Sequence, residues 1–364
     1  MSYIILSCLV VALSYVYNKL KQNKKYNQSL RIFVLSVIIF ALCLFAGLRT
    51  RYNDTYSYLI AFGKTPKKFS ALFAGDFSVS AVYFFRIWGY VIYNYISTSV
   101  NVYFFLSSLV FVIPSILLIE KYSKNFVLSI LLYMFAGMYL FSLAGLKQAM
   151  ATGIVLMGIP ALLKKQYLKY YIFCILALGF HTYSLFFLIV PLLGSDKIFN
   201  KTTVWFCIVI ILLGIGLSYF SSFITKIIQL LGKDIQEETL QEGSVNIFRA
   251  IVFLIPLVLT LLSYKKIDKE SSAENKIFVK ISILSTMFMV LALFGNPILF
   301  GRIPQYFYIG IVVSLPYLIE KTFVYREVRF IKIIAGFCYI MFGIYSLYKD
   351  GAFAMDIFRL VWFI

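Results

Sequence analysis

Apolar runs of 15–22 residues, separated by short polar stretches, recur from one end of the chain to the other. Each run is close to the roughly 20 residues a helix needs to cross a bilayer. The pattern predicts spans near 2–17, 32–48, 101–119, 126–142, 149–163, 167–181, 182–193, 203–224, 248–264, 277–294, 303–319 and 330–348. The fold expected is therefore all-α: one integral membrane domain over residues 1–364 with about twelve transmembrane helices. The runs at 167–193 are short, either a tight hairpin or one kinked helix, with Pro191 ending the pair. The Tyr-rich stretch 77–96 carries Arg86 and Asn94 among its aromatics and suits an interfacial or re-entrant helix. The first run, Tyr3 to Tyr17, has the length of a signal peptide but no basic leader and no small-x-small cleavage site, so it reads as a retained span.

Positive charge near span ends orients the chain. With the N-terminus outside and 77–96 not crossing, the inner segments 18–31, 120–125, 164–169, 194–202, 264–276 and 320–332 hold 20 of the 34 Lys and Arg, against 13 outside. Both termini then lie outside. The outer face carries residues 49–76, an acidic segment at 225–247 (Asp234, Glu237, Glu238, Glu242), and an aromatic tail after Lys349.

Composition agrees with this reading. The chain is 62% hydrophobic and 13% charged, where soluble proteins average about 45–50% and 25%. That excludes a cytosolic enzyme, a secreted disulfide scaffold and a disordered protein. The net charge of +19 does not mark a nucleic-acid binder, because the cations sit in the loops that orient spans. All five cysteines lie inside apolar runs and read as packing residues.

An ionisable group at membrane depth costs about 2.5–3.5 kcal/mol on insertion scales, so its presence asks for a function. In Gly47–Tyr58, Arg49 and Arg51 offer forked donors for phosphate oxygens, Asp54 can orient one of them, and Tyr56 and Tyr58 can stack on sugars. The same cluster can also be a snorkelling aromatic belt. Lys147 is the one charge in the turn Ala144–Gln148, either an anion contact or an ordinary turn lysine. His181, the only histidine, can accept and release a proton near neutrality, or serve as a buried packing residue. Arg302 follows a Gly/Pro break and precedes Gln305 and Tyr306, forming a cationic rim or a capped loop. Arg86 reads as an interfacial anchor or a ligand contact. There is no Walker loop, GxSxG elbow or zinc cluster. Acidic residues are nearly missing from the spans, which disfavours a carboxylate proton relay. No Asp-x-Asp metal motif occurs, so a transferase here is expected to rely on cationic side chains, with no metal and no cofactor.

Taken in order, Gly47-Leu48-Arg49 to Asp54-x-Tyr56-x-Tyr58, Gly145-Leu146-Lys147-Gln148-Ala149, the Lys-rich segment 164–169, His181, and Arg302 with Tyr306-Phe307 resemble the EpsG family, relatives of the Wzy-type polymerases of capsule, O-antigen and exopolysaccharide synthesis. The family turn usually reads Gly-Ile-Arg-Gln; here Lys147 keeps the charge and gives up the bidentate fork. The resemblance implies a GT-C-like polymerase in a bacterial inner or plasma membrane, joining oligosaccharide repeat units carried on undecaprenyl pyrophosphate at the outer leaflet. It implies Arg49, Arg51, Lys147 and Arg302 at the pyrophosphate, His181 as base with Asp54 as substitute, and Tyr56, Tyr58, Gln148 and Tyr306 at the sugars. The implied partners are the lipid-linked oligosaccharide, the bilayer, a flippase and a chain-length regulator. Two other readings are a flippase or exporter of the same lipid-linked sugar, and a membrane O-acyltransferase using His181.

Overall fold

The computed structural model describes residues 2–23, 28–73, 82–194, 196–217, 219, 221–230 and 243–349. The acidic residues Asp234, Glu237, Glu238 and Glu242, the tail beyond Lys349, and 77–81 of the Tyr-rich stretch lie outside the described residues. Every element of regular structure described is helical: α1 (Ser2–Gln22), α2 (Gln28–Gly47), α3 (Thr55–Gly63), α4 (Tyr83–Val91), α5 (Val100–Tyr122), α6 (Phe126–Phe135), α7 (Met138–Ala144), α8 (Leu146–Leu163), α9 (Tyr167–Leu178), a 3-10 helix (Thr182–Leu193), α10 (Lys201–Ile215), α11 (Ser221–Leu230), α12 (Ile247–Glu270), α13 (Ala273–Leu291), α14 (Ile303–Tyr306), α15 (Tyr308–Thr322) and α16 (Tyr325–Lys349). Short 3-10 and π turns occupy Phe69–Phe73 and Ile92–Ile96.

The starts are written locally. Asn125, Asn200, Asn246 and Ser272 each accept a hydrogen bond from a backbone N–H in the first turn of α6, α10, α12 and α13, satisfying donors a helix leaves open. Among the described residues seven helices are long and apolar enough to cross a membrane: α1, α2, α5, the α6–α7 pair, α8, α12 and α16. This is a polytopic membrane protein. The expected twelve exceed these seven for visible reasons. The 167–193 region is a hairpin, an α-helix followed by a 3-10 helix of 12 residues each. The span expected at 203–224 stops at Ile215, and α11 begins separately at Ser221. The helix α13 carries Glu274, Lys276 and Lys280, and α15 has only 15 residues. The span at 126–142, counted among the seven, is interrupted at Gly137, whose φ of +101° suits glycine.

Both α13 and α15 are buried along nearly their whole length and pack on each other and on α12, forming the centre of one large core. Elsewhere backbones meet directly. At Gly153 in α8, an added Cβ would lie 2.1 Å from the Val110 carbonyl oxygen of α5, a small-residue contact of the kind that holds helices together in lipid. A second, smaller cluster joins Phe62, Phe85, Ile92, Tyr103, Phe104 and Leu146, seating α3 and α4 on α5 and α8.

Cross-links between elements sort by end. Lys21 pairs with Glu120 at 2.6 Å, Lys321 with Glu270 at 2.8 Å and Lys332 with Glu320 at 2.5 Å. The Lys276 ammonium donates to the Asp196 and Asp268 carbonyls at 2.7 and 2.8 Å, and the Ile198 amide donates to the Asp268 carboxylate at 2.7 Å. All of these join segments expected on the inner side. Segments expected outside meet one another at the opposite end: Asp54 with Arg302, Gln148 with Arg302, and Phe84 with Gly179.

Candidate active site

The turn after α2 is built around Arg49. Its guanidinium is 1% exposed, donates to the Ala46 carbonyl at 2.7 Å and to the Thr55 hydroxyl at 3.3 Å, and lies 3.9 Å from the centre of the Phe104 ring. It caps the C-terminus of α2, where carbonyls lack partners. Burial lowers its pKa to about 10, so it stays cationic at neutral pH. Arg49, expected at the pyrophosphate, ties α2 to α3 here, and its Nη2 has no hydrogen-bond partner. Next, Tyr52 and Asn53 take φ of 131° and 42°, conformations that cost a non-glycine residue on the order of 1–3 kcal/mol. The Thr55 hydroxyl donates to the Tyr52 carbonyl at 2.6 Å and helps hold this turn. The turn sets Asp54 at the N-cap position of α3, and its carboxylate oxygen lies 3.8 Å from an Arg302 nitrogen. Arg51 and Tyr56 face outward, Tyr56 at 67% exposure.

Arg302 is placed from two sides. Asn296 accepts from the Ile298 and Leu299 amides, folding the loop ahead of it. The Gln148 side chain on the first turn of α8 donates to the Arg302 carbonyl at 2.7 Å. Lys147 lies over the Phe85 ring at 5.3 Å, and the Tyr58 ring meets Phe85 edge-on at 5.9 Å. The amides of Phe84 and Phe85 donate to the Gly179 carbonyl, which brings α4 beside the His181 turn. Arg86 reaches the Leu72 carbonyl at 3.4 Å, as an anchor does.

Tyr306, fully buried on α14, brings its hydroxyl to 2.5 Å from His181 Nδ1. The Tyr183 amide is 3.3 Å from the same nitrogen. With the ring proton on Nε2, Nδ1 accepts from both. With the proton on Nδ1, the ring donates to Tyr306 and the longer contact ceases to be a hydrogen bond. Arg302 opens α14, whose last residue is Tyr306, so the short helix joins the Asp54 side to the His181 side.

A cavity of about 440 Å³ opens beside Arg302, lined among others by Asp54, Arg249, Gln305, Tyr308 and Lys349. Of the residues expected from sequence, Asp54 and Arg302 line it; Gln148 touches it through the Arg302 carbonyl, and His181, Lys147 and Tyr306 are not among its lining residues. Arg249 and Tyr308 escaped the sequence reading. The signal for Arg249 was its place three residues past Asn246, the one charge ahead of an apolar run that lasts to Tyr264. Among the described residues no three His, Cys, Asp or Glu side chains gather as metal ligands.

The model of the EpsG family matches residues 31–359, nearly the whole chain. The chain belongs to the EpsG family. EpsG proteins are a Wzy-like polysaccharide polymerase family. No curated protein and no solved structure matches this EpsG chain.

Proposed function

We propose that this EpsG protein is a metal-independent glycosyltransferase that polymerises undecaprenyl-pyrophosphate-linked oligosaccharide repeat units at the outer face of a bacterial cell membrane. In this reading it has about twelve spans and a GT-C-like arrangement, and it takes its substrate from a flippase. The observation that carries the proposal is the meeting of Arg302, Asp54 and the His181–Tyr306 pair at one end of the bundle in a chain of this family.

Transfer breaks the bond between the anomeric carbon and the pyrophosphate oxygen and forms one to an acceptor hydroxyl, which loses its proton. Arg302 faces the departing pyrophosphate, where a forked cation offsets the growing negative charge. Asp54 holds the Arg302 guanidinium in position. His181 takes the acceptor proton on Nε2 in the tautomer that donates from Nδ1 to Tyr306 across 2.5 Å; the Tyr306 hydroxyl fixes the ring as an orienting partner does in other His bases. Lys147 adds positive potential beside this region. Arg51, Tyr56 and Tyr58 lie on its outer margin, where a saccharide would pass.

The test is His181→Ala in a strain lacking the native gene. Single repeat units should accumulate on the lipid carrier while the variant remains in the membrane at wild-type level. Full-length polymer from that variant removes the proposed base.

A further inference from the structure

The cavity beside Arg302 holds a second guanidinium whose use the mechanism above leaves open. Among its described lining residues the charged groups are Arg249, Arg302, Lys349 and Asp54, three cations against one carboxylate, and Asp54 is engaged with Arg302. That leaves Arg249 and Lys349 uncompensated by any lining acid. Arg249 is half-buried and rests 6.0 Å from the centre of the Phe253 ring, which packs on the Tyr308 ring at 4.6 Å. Tyr308 lines the same cavity and is anchored by donating to the Ala136 carbonyl at 2.6 Å.

Gln305 supplies an independent sign of a ligand. Its side chain lines the same cavity, is 5% exposed, and its carbonyl oxygen has no hydrogen-bond partner. A buried polar atom left unpaired costs about 1–3 kcal/mol, so a bound hydroxyl or amide that donates to it recovers that loss. The volume of about 440 Å³ falls within the roughly 300–1,000 Å³ of small-ligand sites. Two forked cations with one carboxamide acceptor suit a sugar diphosphate: phosphate oxygens on the guanidiniums, a sugar hydroxyl on Gln305.

We propose that Arg249 and Arg302 together grip the diphosphate of the lipid-linked donor in this cavity, with Gln305 on the adjoining sugar, and that the acceptor enters from the His181 side. Arg49, sealed against Phe104, takes no part in this grip. The assignment rests on the transferase reading above and makes Arg249 a binding residue.

The experiment measures binding of undecaprenyl pyrophosphate to the purified full-length chain in nanodiscs, with inorganic pyrophosphate and undecaprenol as comparison probes. Arg249→Gln should weaken undecaprenyl pyrophosphate at least tenfold, Arg249→Lys less, and His181→Ala not at all. Unchanged affinity in Arg249→Gln overturns the proposal, as does undecaprenol binding as tightly as the pyrophosphate. Inorganic pyrophosphate binding at least tenfold more weakly than the lipid assigns the site to a lipid head group; equal affinity assigns it to the free anion and overturns the donor assignment. Should Arg249→Gln fail to fold, maleimide labelling at Ser346→Cys, which lines the cavity, reads the site with Arg249 intact. Saturating undecaprenyl pyrophosphate should slow that labelling, and an unchanged rate overturns the proposal. A His181→Ala chain that still polymerises while Arg249→Gln loses the lipid sinks the base and leaves this site standing.

Discussion

Replacing Gly153 with alanine tests the packing that holds the site together. The new methyl carbon would lie 2.1 Å from the Val110 carbonyl oxygen and 2.7 Å from the Phe111 Cα. Both are backbone atoms, so no side chain can rotate out of the way. Ordinary contact begins at 3.4 Å, so α5 and α8 must part by about 1.3 Å. Overpacking of this kind costs about 1–3 kcal/mol, and in a bilayer burying more apolar surface cannot restore it, because lipid is as apolar as the helix. The shift also reaches Arg302. Gln148 rides on the first turn of α8 and holds the Arg302 carbonyl at 2.7 Å; a displacement of about 1.3 Å along that bond breaks it. The assay is thermal unfolding of detergent-purified protein, run beside polymer length in a complemented null strain. Gly63→Ala is the control, since nothing lies within 4 Å of its added methyl. The Gly153 variant should melt earlier and make shorter polymer, and the Gly63 variant should do neither. A Gly153→Ala protein that melts with the wild type would refute the close approach of these two backbones.

Three further substitutions separate holding from reacting. Asp54→Asn should change stability by less than about 1 kcal/mol, because its ion pair spans 3.8 Å between side chains 38% and 43% exposed; polymer yield should nevertheless fall, and gels of wild-type polymer from this variant remove Asp54 from the site. Tyr306→Phe deletes the hydroxyl that meets His181, and a net bond worth about 0.5–1.5 kcal/mol predicts up to about a tenfold slower reaction at wild-type protein level. Equal rates in a single-turnover assay would show that Tyr306 does not orient the ring. Lys280→Met removes the ammonium that is 1% exposed and donates to the Leu193 and Gly194 carbonyls at 2.5 and 3.1 Å. Each stranded acceptor costs about 1–3 kcal/mol, so the melting point should drop even though a charge has left the core.

Hydropathy located the long helices because lipid demands long apolar runs, and a run can be read without knowing its neighbours; the short α3 and the break between α10 and α11 escaped it. Where the helix breaks inside a run, as at Gly137, hydropathy is blind, because the residues on either side are equally apolar. Lys21 and Glu120, in two segments the charge rule puts on one side, do meet. Pairing across the sequence was otherwise not legible. Nothing in the letters says that Tyr306 meets a ring 125 residues away, or that Arg49 turns inward to Phe104 while Arg249 turns to a cavity. In a sequence, guanidiniums at span ends look alike; what separates them is the aromatic or carbonyl each one finds.

The burial of α13 on every side bears on how the chain is made. A segment with Lys280 at its middle and Lys276 near its start is a poor client for the insertion machinery, since one lysine at a helix centre costs about 2.5–3.5 kcal/mol. Among the described residues its lysines donate to the carbonyls of Leu193, Gly194, Asp196 and Asp268. All of these partners precede α13 in the chain, so they are already synthesised when it emerges, and the helix is expected to enter the bilayer against them and not alone.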